Sequence, residues 1–173
     1  MGLMGGVLSV QSEVDKGSTF TAAFRFRVQT WRSTARKASG QDKPLCILLV
    51  EDNEINREIE MELLGDLGFE IDPAENGKIA LEKMEQSEPG HYDVVLMDLQ
   101  MPVMDGWMAS LAIRGLRDPV KAGVPIIALT ANALENDRRR AKECGIDAHL
   151  RKPMDLSQLL RTMEELTGKR RPS

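Results

Sequence analysis

Four apolar runs in this chain each stop on a polar residue, and that pattern restricts the fold more than any other feature. Cys46-Ile47-Leu48-Leu49-Val50 runs into Glu51-Asp52, and Asp93-Val94-Val95-Leu96-Met97 runs into Asp98. Pro125-Ile126-Ile127-Ala128-Leu129 runs into Thr130, and Ala148-His149-Leu150-Arg151 runs into Lys152-Pro153. Between them lie stretches of helical period, so the runs read as parallel strands covered by helices. In such sheets the carboxyl ends of the strands share one edge, where ligands bind. Three carboxylates, a hydroxyl and an ammonium should therefore meet in one crevice. That set suits a divalent cation and a phosphoryl group.

The intervening segments complete the alternation. Ile55, Ile59, Leu63 and Leu67 recur at helical spacing, with Gly68 as the terminator. Residues 69–73 form a short second strand and residues 78–86 a weaker helix with Ile79, Ala80, Leu81 and Met84 on its apolar side. A loop over residues 100–106 leads to a helix whose apolar side carries Met108, Leu111, Ala112 and Leu116. Residues 134–144 are polar and Arg-rich, the most exposed helix of the set, with Arg138-Arg139-Arg140 as a solvated face. Asp155 caps a last helix with Leu156, Leu159, Leu160 and Met163 on one side. Five strands alternating with five helices predict a doubly wound α/β domain of three layers, helices on both faces of a five-stranded parallel sheet.

Residues 1–30 follow a different rule. Val7-Leu8-Ser9-Val10 alternates loosely, Asp15-Lys16-Gly17 reads as a turn, and Phe20, Ala22, Phe24 and Phe26 alternate with other residues, which predicts a β-hairpin. Two strands alone are marginal in water. The apolar face of Leu8, Phe20, Phe24 and Phe26 is therefore expected to pack on a neighbour, a homodimer with a second copy being one form, or the segment is disordered. Residues 31–44 have the composition of a linker, residues 45–167 form the domain, and residues 168–173 are a tail.

Charge and cysteine content narrow the function. The chain of 173 residues carries a net charge of −4. Residues 1–44 hold seven basic and three acidic side chains, the remainder sixteen and twenty-four. An acidic body argues against a nucleic-acid surface. Cys46 and Cys144 make no disulfide framework, which fits a reducing, cytoplasmic compartment. No apolar run approaches the roughly 18 residues of a membrane span, so no membrane contact is expected in this fragment. Met1 to Val10 lacks the charged lead of a signal peptide.

The crevice itself has a definite chemistry. Glu51, Asp52 and Asp98 would repel one another unless a hard cation sat among them, and Mg²⁺ favours a few carboxylates with waters and phosphate oxygens. An acidic pair at a strand end also opens helices, but Asp98 after a wholly apolar strand tips the balance toward a site. A carboxylate such as Asp98 can attack a phosphoryl group once its oxygens are neutralised. Lys152 supplies a compact positive charge for the transferred group, and Pro153 after it is a candidate for a cis peptide. Thr130 can donate one hydrogen bond to a phosphoryl oxygen. Trp107 is either an exposed contact aromatic or a core anchor.

The stretches Leu48-Leu49-Val50-Glu51-Asp52-Asn53, Met97-Asp98-Leu99-Gln100-Met101-Pro102-Val103-Met104-Asp105-Gly106, Ala128-Leu129-Thr130-Ala131 and Leu150-Arg151-Lys152-Pro153 together resemble the receiver domain of response regulators in two-component signalling. The resemblance implies a flavodoxin-like sheet of strand order 2-1-3-4-5. It implies that Asp98 is the phosphoacceptor, taking its phosphoryl group from a phosphohistidine on a histidine kinase core or a histidine-phosphotransfer protein. It also implies Mg²⁺ held by Asp52, Asp98 and the Gln100 carbonyl, with Glu51, in place of the commoner aspartate, acting through water. His149 stands where the family has an aromatic switch residue, and phosphorylation would change the surface of the last two helices and last strand. Such a domain promotes its own phosphorylation and dephosphorylation, which leaves its standing as an enzyme open.

Leu3-Met4-Gly5-Gly6-Val7 and Asp15-Lys16-Gly17-Ser18-Thr19-Phe20 resemble the last hairpin of a histidine-kinase ATP-binding domain. With the rest of that domain missing, ATP binding is not expected, and the chain reads as the receiver end of a hybrid sensor kinase. Three rivals compete. An aspartate-nucleophile phosphatase should have a second acid where Gln100 stands. A flavin-binding flavodoxin relative should have a glycine- and hydroxyl-rich loop where Glu51-Asp52-Asn53-Glu54 stands. A receiver-like module that only binds partners would not need the acid, threonine and lysine set.

Overall fold

In a computed structural model of the chain, residues 6–13, 17–24, 44–131 and 135–168 are described, with side chains for 44–131 and 139–168. The turn expected at Asp15-Lys16, Phe26, the side chains of the hairpin, the side chain of Arg138 and most of the linker and tail lie outside what is described. The chain divides into two units, residues 1–37 and 38–173. In the first, β1 (Gly6–Glu13) pairs antiparallel with β2 (Gly17–Phe24), from Gly6 opposite Phe24 to Glu13 opposite Gly17.

The second unit runs β3 (Cys46–Val50), α1 (Glu54–Asp66), β4 (Glu70–Ala74), α2 (Gly77–Gln86), β5 (Val94–Asp98), α3 (Gly106–Arg114), α4 (Pro119–Ala122), β6 (Ile126–Thr130), α5 (Glu135–Glu143), β7 (Ala148–Arg151) and α6 (Leu156–Thr167). All its strand pairs are parallel, in the order β4-β3-β5-β6-β7. Counted from β3, this is the expected 2-1-3-4-5. Every residue of β3, β5 and β6 is buried, as a strand covered on both faces requires. Pro73 sits on β4, at the sheet edge, where a missing N–H costs least.

Alternation along the strands sorts the core into two layers. Leu48, Val50, Val95, Met97, Ile126 and Ala128 pack with Ala80 and Met84 of α2, Ala109 and Ile113 of α3, and Ala141 of α5. Ile47, Leu49, Leu96, Ile127, Leu129 and Leu150 pack on the other side with Leu64 of α1 and Leu159 and Met163 of α6. Side-chain caps start the helices: Asn53, Asn76, Asp105, Asp118 and Asp155 each accept from a backbone N–H of the first turn. Each such cap contributes about 1 kcal/mol.

Three expectations need correction. Ile55 and Ile59 are 69% and 51% exposed, so the regular row on α1 faces outward, and Glu60 and Leu64 are the residues buried. On α3, Met108 and Leu111 point to solvent while the smaller Ala109 and Ser110, with Ile113, lie against the sheet and let the helix approach closely. A sixth helix, the single turn α4, opens on Asp118 and Pro119, where proline's fixed φ and missing N–H suit the first position. Trp107 proves to be a core anchor, with the Arg140 guanidinium 4.9 Å from its ring centroid.

Arg114 ties this side of the domain together. Its Nε donates to Gly145 O at 2.8 Å, and Nη1 donates to Ala122 O and Val124 O, each at 2.7 Å. Nη2 donates to Asp147 Oδ2 at 2.8 Å, the same oxygen that accepts the Ile126 N–H at 2.7 Å. One planar fork thus satisfies carbonyls left over at two loop segments.

Candidate functional site

Strand register decides which side chains meet. Val50 pairs with Met97, so Glu51 comes beside Asp98 at the carboxyl edge. Asp98 pairs with Leu129, so Thr130 stands one residue beyond it. Thr130 pairs with Arg151, so Lys152 follows at the next position. Val50 and Met97 belong to one core layer, and alternation turns Glu51 and Asp98 toward the other, the side covered by α1 and α6.

There, ligand oxygens of Glu51, Asp52 and Asp98 all lie within 4.8 Å of one another. Lys152 Nζ donates to Asp98 Oδ2 at 2.6 Å and to Glu51 Oε2. The Lys152–Pro153 peptide is cis. Burial alone would push the lysine's pKa down, but its hydrogen bonds to Asp98 and Glu51 outweigh that and hold it above the ordinary value. The ammonium therefore stays charged and offsets part of the repulsion.

Local turns fix the acids. Glu51 is 1% exposed, and its Oε1 accepts from Asn53 N at 3.3 Å and Asn56 Nδ2 at 3.2 Å. Arg57 Nη1 donates to the Glu51 carbonyl at 2.9 Å. Asp98 Oδ1 accepts the Gln100 N–H at 2.9 Å. Asp52 is exposed and leaves the cluster open to solvent on one side. The oxygen-only donor set and its spacing fit a hard divalent cation.

The loop after Asp98 folds back tightly. Gly106 N donates to Leu99 O at 3.2 Å, and a Cβ at Gly106 would stand 2.2 Å from Asp98 O. Val103 in the same loop has φ 70° and is 80% exposed, a rare conformation for a β-branched residue. Of the residues singled out from sequence, Glu51, Asp52, Asp98 and Lys152 converge directly. Thr130 is buried at the end of β6, His149 lies half-buried on β7 opposite Ala128, and Gln100 is exposed beside Asp98.

Sequence reasoning missed Glu60. It is 7% exposed on the inner side of α1, and its Oε2 is enclosed without a hydrogen-bond partner. Burial raises its pKa to about 7, with Glu51 and Asp98 adding to the rise and Lys152 opposing it. An acid in an amphipathic helix reads as surface, so no sequence signal pointed inward.

A flavodoxin-like sheet with an acid triplet and a lysine at its carboxyl edge defines a class of phosphoryl- and cation-handling domains. The response regulator receiver domain family matches residues 47–164. The sensor protein EvgS of Escherichia coli K12 is 33% identical over 167 residues, 94% of this chain and 13% of its own length. The receiver domain of sensor histidine kinase PA1611 from Pseudomonas aeruginosa PAO1, solved with a magnesium ion coordinated in its active-site cleft, is 36% identical with a TM-score of 0.65, covering 73% of this chain and 100% of that one. The co-crystal structure of the Saccharomyces cerevisiae histidine phosphotransfer protein Ypd1 with the receiver domain of Ssk1 gives 32% identity and a TM-score of 0.63, over 72% of this chain and 90% of that one.

This chain belongs to the response regulator receiver domain family, and it serves as a receiver in a two-component phosphorelay. It spans only a small part of the curated relatives it matches, 13% of EvgS and 7% of the hybrid signal transduction histidine kinase I of Dictyostelium discoideum. Among the described residues no helix is long and apolar enough to cross a membrane.

Proposed function

We propose that Asp98 is the phosphoacceptor and that Glu51, Asp52 and Asp98 surround a Mg²⁺ site, with the Gln100 carbonyl as a further ligand and Glu51 acting through water. The observation that carries this reading is the Asp98 carboxylate itself, at the end of a buried strand, in contact with Lys152 and within reach of two further acids. One Asp98 oxygen attacks the phosphorus of a phosphohistidine, the P–N bond breaks, and the imidazole leaves with a proton from solvent. The Gln100 N–H holds Oδ1, and Lys152 moves its charge onto the incoming phosphoryl oxygens. Thr130 donates its hydroxyl to the same group, and His149 follows Thr130, biasing the surface of β7, α5 and α6. A bound Mg²⁺ supplies positive charge against the phosphoryl oxygens. The test is where acetyl phosphate places its phosphoryl group: on Asp98, and only with Mg²⁺.

The donor is a histidine-phosphotransfer protein or the kinase core of a hybrid parent. The outward row on α1 offers it a docking face, since Ile55, Ile59 and Leu63 are exposed on the helix that follows Glu51-Asp52. The co-crystal of a similar receiver with Ypd1 supports a partner of this kind. Ile59→Asp should slow transfer from a cognate phosphotransfer protein at least about tenfold, the loss of one buried branched side chain. Labelling by acetyl phosphate should stay unchanged, and an equal loss with both donors would refute the docking role.

Residues 45–167 form the receiver, and residues 1–30 are the last hairpin of a kinase ATP-binding domain joined by a linker over 31–44. The match to EvgS supports this division, because it runs over 167 residues and so extends past the receiver match. A homodimer through this hairpin is the form of packing on a neighbour proposed for the segment. Sedimentation of the full chain against one starting at Pro44 should then show a dimer only for the former; two monomers would end that part of the reading.

A further inference from the structure

The first turn of α1 is closed by an acid of the crevice. In a capping box the N-cap side chain accepts a backbone N–H three residues on, and the side chain there accepts the N-cap's own N–H in return. Asn53 is the N-cap of α1, and its Oδ1 accepts from Asn56 N at 3.1 Å as that pattern requires. The return contact goes elsewhere. Asn53 N donates at 3.3 Å to Oε1 of Glu51, and Asn56 Nδ2 donates to the same oxygen at 3.2 Å. Glu51 thus takes the acceptor's place, and Asn56, standing where a glutamate or glutamine commonly closes the box, serves as a donor. A carboxylate offers only acceptors, so the amide nitrogen is the atom that must face it.

The rest of Glu51 is held separately. Arg57 Nη1 donates to Glu51 O at 2.9 Å and to Asp52 O at 3.4 Å, which pins the backbone and leaves the side-chain torsions free. Lys152 holds Oε2. In the proposed transfer Lys152 turns to the phosphoryl oxygens, and the contacts at Oε1 then keep the carboxylate in place. Asn56 supplies the side-chain contact there. An aspartate at position 51 would be shorter by one methylene, roughly 1.5 Å, and its oxygens would fall out of hydrogen-bond reach of Nδ2.

We propose that Asn56 is a positioning residue for Glu51, matched to a glutamate rather than an aspartate at that place, and that through Glu51 it raises the affinity of the crevice for a divalent cation. This deepens the preceding reading and rests on a cation among Glu51, Asp52 and Asp98. Groups that orient a metal-binding acid commonly contribute tenfold or more to affinity. Asn56 is exposed, and in Asn56→Ala the backbone N–H keeps its bond to Asn53 Oδ1, so the cap of α1 and the core stay as they are.

Titration of the full chain with Mg²⁺, followed by backbone amide shifts, tests this as a double-mutant cycle. Asn56→Ala should weaken Mg²⁺ binding about tenfold in the native background. In the Glu51→Asp background, where the contact cannot form, the same change should alter affinity less than about twofold. A merely structural role for Asn56 would give the same loss in both. Nitrogen-15 spectra of the metal-free chain give a second reading. One Asn56 side-chain proton should lie downfield, as a donor to a carboxylate, and lose that shift in Glu51→Asp. Should Glu51→Asp bind no Mg²⁺, these spectra decide alone. An equal loss in both backgrounds, undiminished affinity in Asn56→Ala, or an Asn56 amide indifferent to Glu51→Asp would overturn the inference alone. Absence of any Mg²⁺ binding by the native chain would overturn it together with the reading beneath it.

Discussion

Asp98→Ala is expected to abolish the Mg²⁺-dependent gain of one phosphate that the full chain should show after incubation with acetyl phosphate. With the carboxylate as the proposed attacking group, its removal takes away the nucleophile itself, and labelling should fall by at least about a thousandfold. The fold should survive. Asp98 ends β5 without supporting the core, and its loss leaves Lys152 bonded to Glu51. Asp98→Asn keeps the Gln100 contact and should be equally inert, which separates lost chemistry from lost shape. Intact mass with and without Mg²⁺ reads the result directly. Label that persists in Asp98→Ala, on Asp52 or elsewhere, would sink the assignment.

Gly106→Ala should damage both stability and phosphorylation, although the residue carries no functional group. Its Cβ would stand 2.2 Å from Asp98 O, 2.9 Å from Leu99 Cα and 2.9 Å from Met97 Cγ. Two of these atoms are backbone and cannot swing aside, so the start of α3 or the end of β5 must shift. The cost is about 3 kcal/mol, which lowers Tm by on the order of 10 °C. Because the displaced atom is the carbonyl of Asp98, the proposed phosphoacceptor, acetyl phosphate labelling should slow about tenfold or more even well below Tm. Thermal unfolding and labelling rates measured on the same variant check both halves. An unchanged Tm would mean that the loop relaxes freely and that the tight approach matters little.

How much of this was open to reading depends on the element. The strands were legible because burial on both faces demands unbroken apolar runs, their order followed only from the resemblance to receiver domains, and the acids, threonine and lysine ending those runs announced the site. The capped start of α6 and its inward face were also legible, from Asp155 and the row Leu159 to Met163. The inward faces of α1 and α3 were not. On helix α1 spacing alone ranks the apolar row Ile55-Ile59-Leu63 above the side that is actually buried, which pairs Leu64 with the acid Glu60. On α3, Met108 and Leu111 outweigh Ala109 and Ser110 in hydropathy, yet close packing on a flat sheet favours the smaller pair.

Sequence by itself determined the parallel sheet, the edge at which the ligands gather and the identity of the side chains brought there. Each of these follows from local patterns: apolar runs, their polar endings and the helices between. Only the tertiary structure decided which helix faces turn inward, that Lys152 bridges Asp98 and Glu51, and that Glu60 is buried on the inner side of α1. Those outcomes depend on how elements distant in the chain dock, where packing volume and summed charge act between residues with no sequence relation.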